Sequence, residues 1–168
     1  MAGQGTVVSI HIAAVGSAPM KSVATAQIVA GRGLEGDRYY GQLGTYSNQP
    51  GSGRDVTLIE MEAVEGLKRD YQIQLDPGQS RRNIVTRGIA LNHLVEQEFR
   101  IGDVVLRGTR LCEPCAHMEK LTIKGAMRGL IHRGGLRAEI VKGGTIRVGD
   151  VIESKGKEKV RIRNSKKR

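Results

Sequence analysis

The chain contains no tryptophan, a single phenylalanine (Phe99) and four tyrosines in 168 residues. So few aromatics argue against a platform on which nucleobases stack. No run of about 18 apolar residues occurs, the length a membrane-crossing helix needs. No basic stretch followed by an apolar core opens the chain, as a secretory leader would require. A cytoplasmic protein is therefore the expectation. Only two cysteines are present, Cys112 and Cys115, and in that compartment they read as reduced thiols, not as a structural bridge. At this length a single domain buries a core without disulfides or a structural metal.

Acidic residues are also scarce, with 17 Asp and Glu against 27 Lys and Arg, a net charge of +10. The excess is local. Ser154 to Arg168 holds eight Lys or Arg and one Glu, so +7 of the charge lies there and +3 on the rest. The chain therefore divides into a domain over residues 1–153 and a basic tail over 154–168, short of apolar residues and expected to trail in solvent. Charge of this kind solubilises a chain end before it marks a nucleic-acid arm.

Long helical patterns are missing as well, and strand-like segments dominate. Thr6–Ile12, Ala24–Val29, Val56–Ile59, Asn83–Thr86, Asp103–Arg107, Leu136–Val141 and Thr145–Glu153 read as strands between glycine-rich turns. Met61, Val64, Leu67 and Tyr71 share one face of a predicted helix, and a second short helix is predicted over Ile123–His132. Arg100–Val105 (RIGDVV) and Arg147–Ile152 (RVGDVI) each place a tight Gly-Asp turn before an apolar strand. With 23 glycines, this predicts a mainly β fold, a closed or nearly closed barrel with a few short helices. The stretch Gly31–Gly53 is the least regular part, and a loop of that size is usually functional.

Familiar catalytic signatures are absent. There is no Walker loop, no G-x-G-x-x-G entering a helix, no H-E-x-x-H and no G-x-S-x-G. What is present is LCEPCAHME, residues 111–119, with Cys112, Cys115 and His117. A zinc site would use both thiolates but needs about four ligands, and neither a second C-x-x-C nor a His pair supplies them, although His93, His117 or His132 could contribute. A redox pair wants a strand-to-helix junction in a βαβ unit, and the surroundings are strand-rich. One activated thiolate needs a helix N-terminus or nearby cations; a helix starting after Pro114 would put Cys115 in its first turn. Equally, both cysteines could simply pack.

Cations and glycines form a second set. GLEGDRY (33–39) carries Gly36, Asp37 and Arg38, SRRNI (80–84) carries Arg82 and Asn83, and RGGLR (133–137) carries Arg133 and Arg137. Guanidinium groups hold phosphate or carboxylate in bidentate fashion, and glycines let backbone N–H groups approach an anion. An anionic small molecule is the ligand this set suits.

In order along the chain, GLEGDRYYG, SRRNI, FRIGDVVLRGTRLCEPC and HRGGLRAEIVKGGTIRVGD resemble the MOSC family, named for the C-terminal domain of molybdenum cofactor sulfurases. The resemblance runs from about Lys21 to about Ile152. The family's cysteine answers to Cys115 after Pro114, its R-x-N element to Arg82 and Asn83, its G-x-x-G-D element to Gly33, Gly36 and Asp37, and its closing element to Gly144–Asp150. The resemblance implies a pyruvate-kinase-type β-barrel that binds molybdenum cofactor, a phosphorylated pterin, or handles sulfur. It implies Cys115 as sulfur carrier or molybdenum ligand, with Gly36, Asp37, Arg38, Arg82, Asn83, Arg133 and Arg137 around the anionic end. Cys112 and His117 are additions to the family pattern, either of which could assist the chemistry. The pyridoxal phosphate domain of full sulfurases has no counterpart in this sequence. No pyridoxal phosphate site is therefore expected, and a separate cysteine desulfurase or a molybdoenzyme is the expected partner. The competing expectation is an interaction module with structural cysteines whose basic tail touches nucleic acid.

Overall fold

The computed structural model describes residues 3–42, 44 and 55–154. The basic tail after Ser154 and most of the irregular 43–54 segment lie outside the described residues.

The first strand, β1 (Gln4–Ile12), pairs along its length with three partners, β11 (Val151–Ser154), β6 (Ile84–Arg87) and β2 (Lys21–Val23). A register shift between Val7 and Ser9 bends it from one neighbour to the next, as bulges do. Around the ring the order is β1, β6, β5 (Val56–Glu60), β9 (Leu136–Lys142), β8 (Val104–Leu111), β7 (Glu98–Ile101), β11 and back to β1. The expected barrel is therefore closed by seven strands, with β2 attached outside the ring. A small sheet of β10 (Gly144–Arg147), β3 (Thr25–Val29) and β4 (Gly33–Leu34) packs beside it.

Among the described strands only β5 and β6 pair in parallel, and a parallel pair needs a crossover. Helix α1 (Met61–Tyr71) supplies it. This explains why β5 and β6 are apolar on both faces. Leu58 and Ile84 point into the barrel with Ile10, Phe99, Leu106 and Leu136, whereas Ile59 and Val85 point outward beneath Val64 and Leu67 of α1. Tyr71, expected on that same buried stripe, is exposed, because the helix ends there at a left-handed Gln72.

Two predicted elements change. Thr145–Glu153 is two strands in different sheets, divided where Gly149 (φ +92°) takes a left-handed conformation and the Asp150 carboxylate accepts the Arg147 N–H at 2.8 Å. The turn seen in RVGDVI is thus a corner between sheets. The Ile123–His132 helix shrinks to α3 (Ala126–Gly129), preceded by α2 (Ala116–Leu121). Gly125 at φ +93° separates the two, and Glu119 accepts the N–H groups of Gly125 and Met127 at 2.7 and 3.3 Å. Ile131 lies beyond α3 and is exposed. No helix among the described residues is long and apolar enough to cross a membrane.

Candidate functional site

The cysteine loop leaves β8 and enters α2. Cys112 is buried, its N–H donated to Gly135 O at 2.8 Å, while Cys115 is exposed. Cys115 is the N-cap of α2, and its Sγ accepts the Met118 N–H at 3.5 Å. A helix therefore does begin just after Pro114, and the exposed thiol sits at its start.

Arg82 fixes this loop from below. Although only 8% exposed, it has no carboxylate partner among the described residues; its Nε donates to Gly134 O at 2.8 Å and its Nη2 to Cys112 O at 3.0 Å. The loop also lies directly against Gly134, where a Cβ would come within 2.8 Å of Pro114 Cδ. Asn83 works on the next strands. Its Nδ2 donates to His11 O at 3.1 Å, and its Oδ1 accepts from Thr57 N at 3.2 Å. Both residues thus hold the scaffold of the site through bonds made inside the protein.

Arg81 turns the other way. It follows the 3-10 turn Pro77–Ser80, and its left-handed backbone (φ +62°) separates its direction from that of Arg82. Its Nη1 donates to Ala18 O at 2.7 Å. Burial, together with the positive charges of Arg38 and Arg82, pushes its pKa below the usual guanidinium value, against the pull of Tyr39 and Asp37. Arg38 is itself buried, paired with Asp37 at 3.1 Å and in contact with Met20 Sδ at 3.4 Å. Asp37 also accepts the Ala13 N–H at 3.1 Å, which docks the Gly33–Gly36 turn onto the end of β1. Arg38 and Arg81 therefore lie near the one Asp37 carboxylate, with the Arg82 charge also felt at Arg81, an arrangement that favours an added anion.

Arg81 faces an open groove of about 690 Å³, within the range of small-molecule sites. His11, Met20, Gly78, Lys120 and Thr122 are among its walls. Helix α2 joins groove and thiol. Its six residues span about 9 Å, with Cys115 at one end, Lys120 and Leu121 on the groove at the other, and His117 Nε2 between them, 3.3 Å from Ser17 Oγ on the groove wall.

Arg133 and Arg137 are placed elsewhere. Arg133 crosses α1, with Nη2 3.7 Å from Asp70 Oδ2 and 3.3 Å from Gly129 O. Arg137 stands on β9 opposite Thr57, and its Nη1 is buried with no hydrogen-bond partner among the described residues. Glu113 of the cysteine loop accepts the His132 N–H at 3.1 Å, so His132 steadies that loop. No group of three or more His, Cys, Asp or Glu that could hold a metal ion occurs among the described residues.

Sequence reasoning passed over Arg81, His11 and Lys120. For Arg81 a signal existed: in SRRNI the R-x-N spacing falls on Arg81 and Asn83, with Arg82 between. His11 and Lys120 carried none, since a strand residue and a helix lysine look ordinary until the fold brings them together.

A closed barrel with a thiol at a helix start beside a cationic groove defines the class of small β-barrel domains in question. The chain belongs to the MOSC domain family, whose model matches residues 45–153. Its fold is similar to that of the YuaD protein from Bacillus subtilis, with 16% identity, a TM-score of 0.77, and 92% of this chain and 97% of that one covered. It is also similar to YiiM from Escherichia coli (15% identity, TM-score 0.66, 91% and 70% covered). YiiM from Geobacillus stearothermophilus gives 12% identity and a TM-score of 0.66, with 90% and 75% covered. At such identities these likenesses speak for the fold alone. No curated protein sequence matches the chain.

Proposed function

We propose that this protein binds molybdenum cofactor, or a closely similar anionic heterocycle, in the groove beside α2 and uses Cys115 as sulfur carrier or soft metal ligand. The observation that carries this reading is the half-buried Arg81, beside the positive charges of Arg38 and Arg82, on a groove whose helix begins at an exposed thiol. The residues fit such a cofactor in two respects. The cations suit an anionic end, and a thiolate suits a soft metal or sulfur. When bound, the cofactor would supply the redox-active metal and its sulfur-rich coordination.

This chain's own residues do the rest. Arg81 and Lys120 attract and orient the anionic end. Arg38, Arg82 and Asn83 act mainly by holding the groove walls and the cysteine loop, with Gly36 and Asp37 shaping the neighbouring turn. In a sulfur-carrier role, the Cys115 thiolate attacks the outer sulfur of a persulfide on a separate cysteine desulfurase. A new S–S bond forms on Sγ, the donor's S–S bond breaks, and the donor leaves as thiolate. Cys112 stays out of this exchange because it is buried. His117 is held near Ser17 and belongs to the wall between thiol and groove.

The test is retention of molybdenum. The protein is mixed with cofactor released from a denatured molybdoenzyme, passed through a sizing column, and its molybdenum measured. The wild-type chain is expected to retain molybdenum, with clear losses in Arg81→Gln and Cys115→Ala. No retention by the folded wild-type chain would overturn the proposal.

A further inference from the structure

The groove has a polar feature that neither the thiol nor the cations account for. His11 is on the outer face of β1, next to the core residue Ile10, yet it is only 7% exposed. The 3-10 turn Pro77–Ser80 covers it. That turn lies close only because residue 78 is glycine: a Cβ there would be 2.9 Å from His11 Nδ1 and 3.2 Å from Cε1. The other ring nitrogen is already used, with Nε2 2.8 Å from Ser9 Oγ. Nδ1, which lies against Gly78, makes no hydrogen bond among the described residues, and His11 is one of the residues that line the groove.

The ring is also held at its backbone. Asn83 O accepts the His11 N–H at 2.7 Å, and Asn83 Nδ2 donates to His11 O. Burial lowers the His11 pKa from its ordinary 6.5, so the imidazole is neutral at neutral pH, with one nitrogen donating and the other accepting. The charged groups on the groove are Arg81, Lys120 and Asp76. A neutral, oriented imidazole between them suits the uncharged part of a ligand whose charge lies elsewhere. Pro77, Met20 and Leu121 add apolar surface to the walls, as a flat ring requires.

We propose that His11 is a specificity-determining residue, whose Nδ1 hydrogen-bonds the uncharged nitrogen- or oxygen-bearing edge of a fused-ring heterocycle in the groove. Asn83 is its positioning residue. This rests on the anionic-heterocycle reading above and names the group that tells a pterin-like ring from a plain aromatic acid.

The full chain is titrated with pterin-6-carboxylate, followed by the fluorescence of the pterin, and with naphthalene-2-carboxylate, a fused-ring acid lacking the polar edge. His11→Phe is expected to weaken pterin-6-carboxylate about tenfold, the worth of one well-made hydrogen bond, and to leave naphthalene-2-carboxylate unchanged. Equal loss for both would overturn the inference and leave the groove reading standing. Should His11→Phe not fold, the imidazole nitrogens of the wild-type chain are followed by ¹H–¹⁵N NMR. Bound pterin-6-carboxylate should shift Nδ1 far more than Nε2, and an unmoved Nδ1 in the complex would overturn it. No binding of either acid to the folded wild type would overturn both the inference and the reading beneath it.

Discussion

Cys112 and Cys115 stand three residues apart in sequence and occupy opposite environments, the first packed under the loop and the second open at the start of α2. An alkylating reagent should therefore modify Cys115 in the native protein on the order of tenfold faster or more than Cys112, with both reacting once the chain is unfolded. Peptide mapping by mass spectrometry reads this directly, and comparable native rates would contradict it. Arg82 gives a second prediction at this scale. Its removal leaves Gly134 O and Cys112 O without their donor, so Arg82→Ala should cost about 2–3 kcal/mol of stability in urea unfolding. Arg82→Lys should recover little of it, because one ammonium does not reproduce two divergent N–H bonds. Cys115, Asp37 and Arg38 were legible in the sequence because each sits in a short motif whose residue types already suggest chemistry. His11 was not. What sets it apart is a glycine 67 positions away that has no Cβ to cover its ring, and no local pattern carries that information.

The elements that place the site are the cysteine loop, the turn at 77–80 and α2, and glycines set how closely the first two are packed. At Gly134 a Cβ would strike Cys112 O and Pro114. Gly134→Ala should therefore push the loop outward, at about 1–3 kcal/mol, and change the alkylation rate of Cys115. A fall in melting temperature with an unchanged Cys115 rate would show that the loop is not what gives way. Most strands were readable from alternation and turn residues, and the two Gly-Asp corners were readable as turns. That one of those corners sends β10 and β11 into different sheets was not, since the sheet a strand joins is decided by partners far along the chain. The Ile123–His132 helix failed for a local reason. Its apolar spacing is genuine, but Gly125 takes a left-handed conformation within what would have been its first turn.

Over the whole molecule, burial moves several protons in opposing directions. The His11 pKa is lowered, so as pH falls below 6.5 the unfolded chain takes up the proton first and stability is lost. Asp55 and Glu60 are raised by burial, so the folded state protonates first there, and their contribution grows as pH falls through the more acidic range above their ordinary values. The histidine effect sets in as pH falls towards the ordinary 6.5 of an imidazole, between about pH 7.5 and 5.5. The melting temperature of the wild type should drop over that interval more than that of His11→Gln. Parallel curves would mean that His11 titrates alike in both states. The closed barrel matters in the same way for the site: it has no free edge within the ring to flex, so groove and thiol stay at the two ends of one short helix.

The most direct measurement on the central claim is the intact mass of the protein after incubation with a cysteine desulfurase and cysteine, beside Cys115→Ala. A reductant-labile gain of about one sulfur atom on the wild type, absent from the variant, is the predicted result. An unmodified wild type, or equal gain in Cys115→Ala, would contradict a sulfur-carrying Cys115.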